Sequence, residues 1–168
     1  MPSSRRWIER LNELRLVRAT LAWETFLEES LICLVRGAPT LSGLGHPLSG
    51  PTAKNTQQAL KTVLGTATYG NWLNESWALK TTAPLFASTN PYQLLASPVF
   101  TSIRRVRNRT VHRSEIAKKE FRLVVRDAFG TDRPGMTPGR LLGSDPHGVV
   151  IIDHYLLVLK AGARSILA

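Results

Sequence analysis

Apolar side chains recur three and four positions apart along most of this chain, and strict alternation of apolar and polar positions is scarce. This spacing predicts an all-α fold. A long helix is expected over residues 5–36, capped by Ser4 and ended by Gly37 and Pro39. It places Trp7, Leu11, Leu14, Val17, Leu21, Ile32 and Val35 on one face. From Trp23 onward the opposite side is apolar too, through Phe26, Leu27 and Leu34, as in a helix central to its fold; two shorter helices are the alternative. Further helices are expected over 52–64, briefly within 71–80, from Ser97 or Pro98 to about Thr110, from a Ser114 cap to about Phe129, and over 149–167. Pro84 and Pro91 punctuate the middle of the chain, and residues 37–53 and 130–148 are Gly/Pro-rich and turn-forming. The run "GVVII" could instead make a strand, but no partner strand is in sight.

With 168 residues, 43% of them hydrophobic, the chain fits one helical domain over 1–168 with a real core. Charge sharpens the picture. The net charge is +10, and 16 of the 22 basic residues are arginine. Guanidinium forks grip phosphate through paired hydrogen bonds, so an anionic partner is expected, nucleic acid before a membrane surface. Cys33 stands alone, which excludes a disulfide framework and a thiolate metal cluster; it is expected as a small core residue. No stretch reaches the length of a membrane span. The first residues lack an apolar core and carry Glu9 and Glu13, so a signal peptide is not expected and a reducing cytoplasm is the default compartment.

The candidate chemistry lies in "RVRNRTVHRS", residues 105–114. On the wheel of the 98–110 helix, Val99, Phe100, Ile103 and Val106 form the apolar stripe. Arg107 falls about 40° from Ile103, at the stripe's edge, while Arg105 and Arg109 fall on the far side, in solvent. A guanidinium aimed at a packed surface needs a partner: a carboxylate, a phosphate or another subunit. His112 would sit about 140° away from Arg107 on a continuous helix, so the two converge only if the helix ends between them. Thr110 and Val111 weaken a helix there, and Ser114 opens the next, which puts His112 in a turn beside an electropositive helix start. Residues 101–126 hold nine basic side chains against two acids. The plain alternative is a solvated basic hairpin with a structural turn histidine.

"RNRTVH" followed by a capped helix resembles the Arg-x4-6-His motif of HEPN domains, in which a polar residue such as Asn often follows the Arg. "LAWETFLEESL", residues 21–31, resembles the aromatic-Glu helix of the RiboL-PSP-HEPN-like branch. The likeness covers roughly residues 5–36 and 52–129. It implies an up-and-down helical bundle of the HEPN type, here with a turn-rich C-terminal segment ending in a helix. It also implies a metal-independent endoribonuclease, of toxin or anti-phage defence type, acting as a homodimer without a cofactor. A cognate antitoxin is an implied partner. On this view the ribose 2′-hydroxyl attacks its phosphate, with His112 as base or acid because imidazole titrates near neutrality. Arg107 stabilises the phosphorane, Asn108 orients His112 or a phosphate oxygen, and Glu24 pairs with Arg107 or fixes the His112 tautomer. Arg104, Arg105, Arg109, Arg113, Lys118 and Lys119 hold the RNA. The rivals are a HEPN-like module that binds RNA or protein without cleaving, and a helical adaptor whose basic face docks an acidic protein. Asp145, His147, Asp153 and His154 match no metal-ligand spacing, and no metal is expected.

Overall fold

A computed structural model describes residues 3–65 and 67–168. The fold is all-α. In chain order it comprises α1 (Ser3–Val35), α2 (Thr56–Leu64), α3 (Glu75–Thr82), two 3₁₀ turns (Ala83–Leu85 and Pro91–Ala96), α4 (Pro98–Val111), α5 (Glu115–Phe129), α6 (Pro138–Leu142) and α7 (Ile151–Ile166). Among the described residues the only extended pairing is an isolated antiparallel bridge between Leu48 and Phe86. The "GVVII" run therefore enters a helix, as its isolation suggests. No helix of the described residues is long and apolar enough to cross a membrane.

Polar caps set most helix starts. Asn55, Asn74, Ser114 and Thr137 each accept a backbone N–H from the first turn of α2, α3, α5 and α6. The α2 start is four residues later than the expected 52, because Asn55 provides the cap and its neighbour Lys54 N–H is taken by Gln58 Oε1 at 2.9 Å. Ser4 lies inside α1 and does not cap it. α1 is one unbroken helix of 33 residues.

The chain divides into two compact units, Met1–Leu21 with Thr101–Leu159, and Ala22–Phe100 with Lys160–Ala168. The second unit is built on Leu27, Leu31, Ala59, Ala78, Tyr92 and Ile166, all fully buried. Tyr92 shares a hydrogen bond of 2.8 Å with Ser30, and burial pushes its phenol well above the ordinary range. Trp72 Nε1–H donates to Glu28 Oε2 at 2.9 Å, which gives that α1 carboxylate a structural task. Cys33 is exposed, contrary to its expected place in the core. Leu31, Leu34 and Val35 fill that part of the helix's inner face, and Cys33 turns outward between them.

The first unit corrects the expected inner face of α1. Trp7 is 74% exposed, and Leu11, Leu14 and Leu21 are also open to solvent. The buried positions in this half are Asn12, Leu16 and Thr20. The physical reason is α6. Gly139 is buried and its backbone presses against that of Glu9: a Cβ there would meet the Glu9 carbonyl, with the carbonyl carbon at 2.7 Å. Gly143 similarly faces the Asn12 amide. Close backbone approach at Glu9 and Asn12 turns this side of α1 inward, with Leu16 and Thr20 buried on the same side, so Trp7, Leu11 and Leu14 fall outside it. Ile103, Val106, Phe121, Leu141, Leu142 and Ile152 complete the core, each contributing about 1.5–3 kcal/mol on full burial.

Two α1 carboxylates hold the 130–148 segment. Glu9 accepts from Arg140 Nε at 3.0 Å and from Thr137 Oγ1 at 3.2 Å. Glu13 accepts from the Gly139 N–H at 3.2 Å. The Arg140 hydrogen bond is the main reason that Glu9 titrates below the ordinary carboxylate range; partial burial opposes it. A lowered folded-state value means that the stabilisation is present above the unfolded-state value and is lost as pH falls through the folded one. Glu9→Gln should therefore lower the melting temperature by a few degrees at pH 7, corresponding to about 1 kcal/mol, and by less at pH 3. Thermal scans at the two pH values check this; equal losses at both would contradict it.

Candidate functional site

The residues singled out in the sequence lie mainly on α4, the following link and α5. Phe100, Ile103 and Val106 are the buried stripe of α4. Arg107 is half-buried at the edge of that stripe, as its wheel position requires. Its Nη1 donates to Asn108 Oδ1 at 3.3 Å, so the structure brings these two site residues together.

His112 is exposed, and its ring makes no hydrogen bond among the described residues. Its backbone N–H donates to the Asn108 carbonyl at 2.8 Å. α4 thus runs to Val111 and its bonding pattern reaches His112, one turn position beyond the expected end. The helix ends at Val111, between Arg107 and His112, so His112 is the first residue of the link, as its expected place in a turn requires. The β-branched pair at 110–111 costs only tenths of a kcal/mol of helix propensity. Against that, the Thr110 hydroxyl donates to the Val106 carbonyl at 3.0 Å, and buried Ile103 and Val106 anchor the turn before it.

Beyond His112, Ser114 caps α5 by accepting the Ala117 N–H at 3.2 Å, and Glu115 occupies the first turn. The link between α4 and α5 is only three residues, so His112 stands beside Arg113 at the junction. Around this junction a cavity of about 290 Å³ is lined by Arg109, Arg113 and Lys118, with Glu13, Glu115 and Pro138. Three of the expected RNA-binding residues therefore converge. Arg104 turns to an ion pair with Glu120 at 3.8 Å, and Lys119 is exposed outside the cavity. Arg105 and Arg109 are half-buried, not in open solvent as the wheel suggests, and Arg105 Nε is enclosed with no hydrogen-bond partner. Long arginine stems lie along apolar surface even when their Cα faces outward.

Glu24 is half-buried on α1 and belongs to the second unit, whereas Arg107, Asn108 and His112 belong to the first. Glu13 and Pro138 were not foreseen in the cavity wall. The available signal was two carboxylates four apart, Glu9 and Glu13, and a Thr-Pro-Gly turn carrying donors for them.

The first unit concentrates the charge: it carries 16 of the 22 Lys+Arg and 8 of the 12 Asp+Glu, leaving 6 and 4 to the second. Among the described residues no three His, Cys, Asp or Glu side chains group as metal ligands would. Asp153 pairs with Arg15 at 2.9 Å, and the His154 ring lies against Tyr155.

Comparison with known proteins finds no family model, no curated protein and no solved structure that matches this chain.

Proposed function

We propose that this chain is an RNA-binding endoribonuclease of the HEPN type, in which His112 moves the protons of 2′-hydroxyl attack and Arg107 stabilises the phosphorane. The observation that carries the reading is His112 itself, an exposed imidazole with no hydrogen-bond partner among the described residues, next in the chain to Arg113, which lines a cavity with Arg109 and Lys118. A ring that the fold has not used is open to a 2′-hydroxyl or a leaving 5′-oxygen. The cations beside it suit the phosphates on either side. The reaction yields a 2′,3′-cyclic phosphate and a 5′-hydroxyl and needs no metal. Incubating the purified protein with RNA in excess chelator tests this: fragments with those ends support the reading, and strict dependence on an added divalent ion overturns it.

The reading includes a homodimer, in which a second copy brings its own Arg107 and His112 to face the first pair. The exposed stripe of α1 supports it. Trp7 and Leu21 each lie two turns from Leu14, and Leu11 and the half-buried Val17 each lie three residues from it, so the positions are symmetric about Leu14. An antiparallel copy of the same helix would meet it with matching residues, as a two-fold interface requires. Leu14→Arg, at the symmetry point, should convert the protein to a monomer by analytical ultracentrifugation while leaving its helical signal unchanged. A wild-type protein that is monomeric at tens of micromolar would remove this part of the reading.

A second reading has one observation in its favour. Arg107 bonds to Asn108 and not to His112. A module that binds RNA through the same cations without cutting it fits that geometry. It would bind RNA and leave it intact under every metal condition.

A further inference from the structure

A second cavity, of about 420 Å³, adjoins the first and shares Arg109 and Lys118 with it. Its other basic residues are Arg122, one turn along α5 from Lys118, and Arg133, from the turn after α5. Phe121 and Met136 give it an apolar lining. Phe121 is buried, so the floor is part of the core and is rigid. We propose that this groove is a binding channel for single-stranded RNA, carrying the strand away from His112 along α5 to the 130–136 turn. The proposal rests on the reading that this chain handles RNA, and it assigns to that function two residues, Arg122 and Arg133, on which the cleavage chemistry does not depend.

Three features argue for this occupant. The first is uncompensated charge. Among the described residues Arg109 and Arg122 make no ion pair. The one acid in the lining, Asp132, is already held by Arg126 at 3.2 Å. The groove therefore presents a net cationic wall. The second is Arg133, whose guanidinium lies over the Phe129 ring at 4.0 Å from its centroid. That contact holds the guanidinium against an aromatic ring while Arg133 stays exposed, so a base can stack on it, a recurring device in single-strand binding. The third is the combination of a cationic wall with an apolar floor. A duplex buries its bases and offers only phosphates to such a groove, whereas a single strand offers both phosphates and base faces. An acidic peptide would use the cations but gain nothing from the guanidinium face.

Fluorescence anisotropy with a labelled, 2′-O-methyl single-stranded RNA, which cannot be cleaved, tests the groove separately from the chemistry. Arg122→Glu/Arg133→Glu should weaken binding at least tenfold and flatten the salt dependence by at least the one phosphate contact of Arg122. Lys54→Glu/Lys61→Glu, an equal charge change on exposed residues of the second unit, should alter affinity less than twofold. The charge-neutral pair Arg122→Gln/Arg133→Gln should lie between them, and circular dichroism should show all variants folded. Equal weakening by both Glu pairs would reduce the effect to net charge and overturn the proposal. So would competition by poly-glutamate as effective as by unlabelled RNA, or stronger binding of the matching duplex. If wild type binds through the groove yet never cleaves, the nuclease reading fails and the channel stands. If it cleaves while the groove pair binds normally, the channel alone fails.

Discussion

Replacing His112 by alanine should reduce RNA cleavage by about two to four orders of magnitude, the usual contribution of a general acid or base. The fold should not register the change. His112 is exposed and its ring makes no hydrogen bond among the described residues, so the melting temperature should stay within a degree or two of wild type. Arg107→Ala should cost a comparable amount of activity through lost stabilisation of developing charge. Arg107 is half-buried and bonded to Asn108, so this variant should also melt somewhat lower. The two variants together test the composite site. If Arg107 of one copy works with His112 of the other, mixing the two inactive proteins gives dimers that hold one intact pair and recover part of the activity. If each pair works within one copy, mixing recovers nothing. Cleavage by His112→Ala at the wild-type rate would remove the histidine from the mechanism altogether.

The helices that carry this argument were legible because their signals are local. Ser114 with its Glu115 first turn marks α5, Pro98 marks α4, and the spacing of Ile103 and Val106 fixes which way Arg107 points. What could not be read were the places where a distant partner decides. The α1 stripe through Trp7, Leu11 and Leu14 is the obvious inner face by hydrophobicity, yet Asn12, Leu16 and Thr20 are buried there. The choice belongs to α6, a helix of five residues and so too short to show any periodicity. The end of α4 is a similar case. Propensity places a break at Thr110, and a single hydroxyl bond to Val106 together with packing behind it carries the helix on to Val111. Composition located the charge on the 101–126 segment but could not show that Arg133, from the turn after α5, lines one cavity with Arg109 and Arg122.

Gly139→Ala should be the most damaging of the small substitutions in the first unit. The added methyl has nowhere to go, because its neighbours are the Glu9 backbone carbonyl and the Glu9 Cβ, the latter at 2.7 Å. Backbone cannot swing aside as a flexible side-chain tip can. α6 would have to lift from α1, and the Glu9 bonds to Arg140 and Thr137 and the Glu13 bond to the Gly139 N–H would lengthen with it. Overpacking of this kind costs about 1–3 kcal/mol, with the strained polar contacts adding to it, so a fall in melting temperature of roughly 4–10 °C is expected. Gly130→Ala, in a turn whose φ is 72° but whose Cβ position is open, should cost less, since only backbone strain opposes it. The ordering of these two variants separates close approach from turn conformation as the reason for glycine at 139. If Gly139→Ala melted like wild type, α6 would not be seated on α1 as described, and Pro138 in the wall of the first cavity and Met136 in the wall of the second would lose the support that places them.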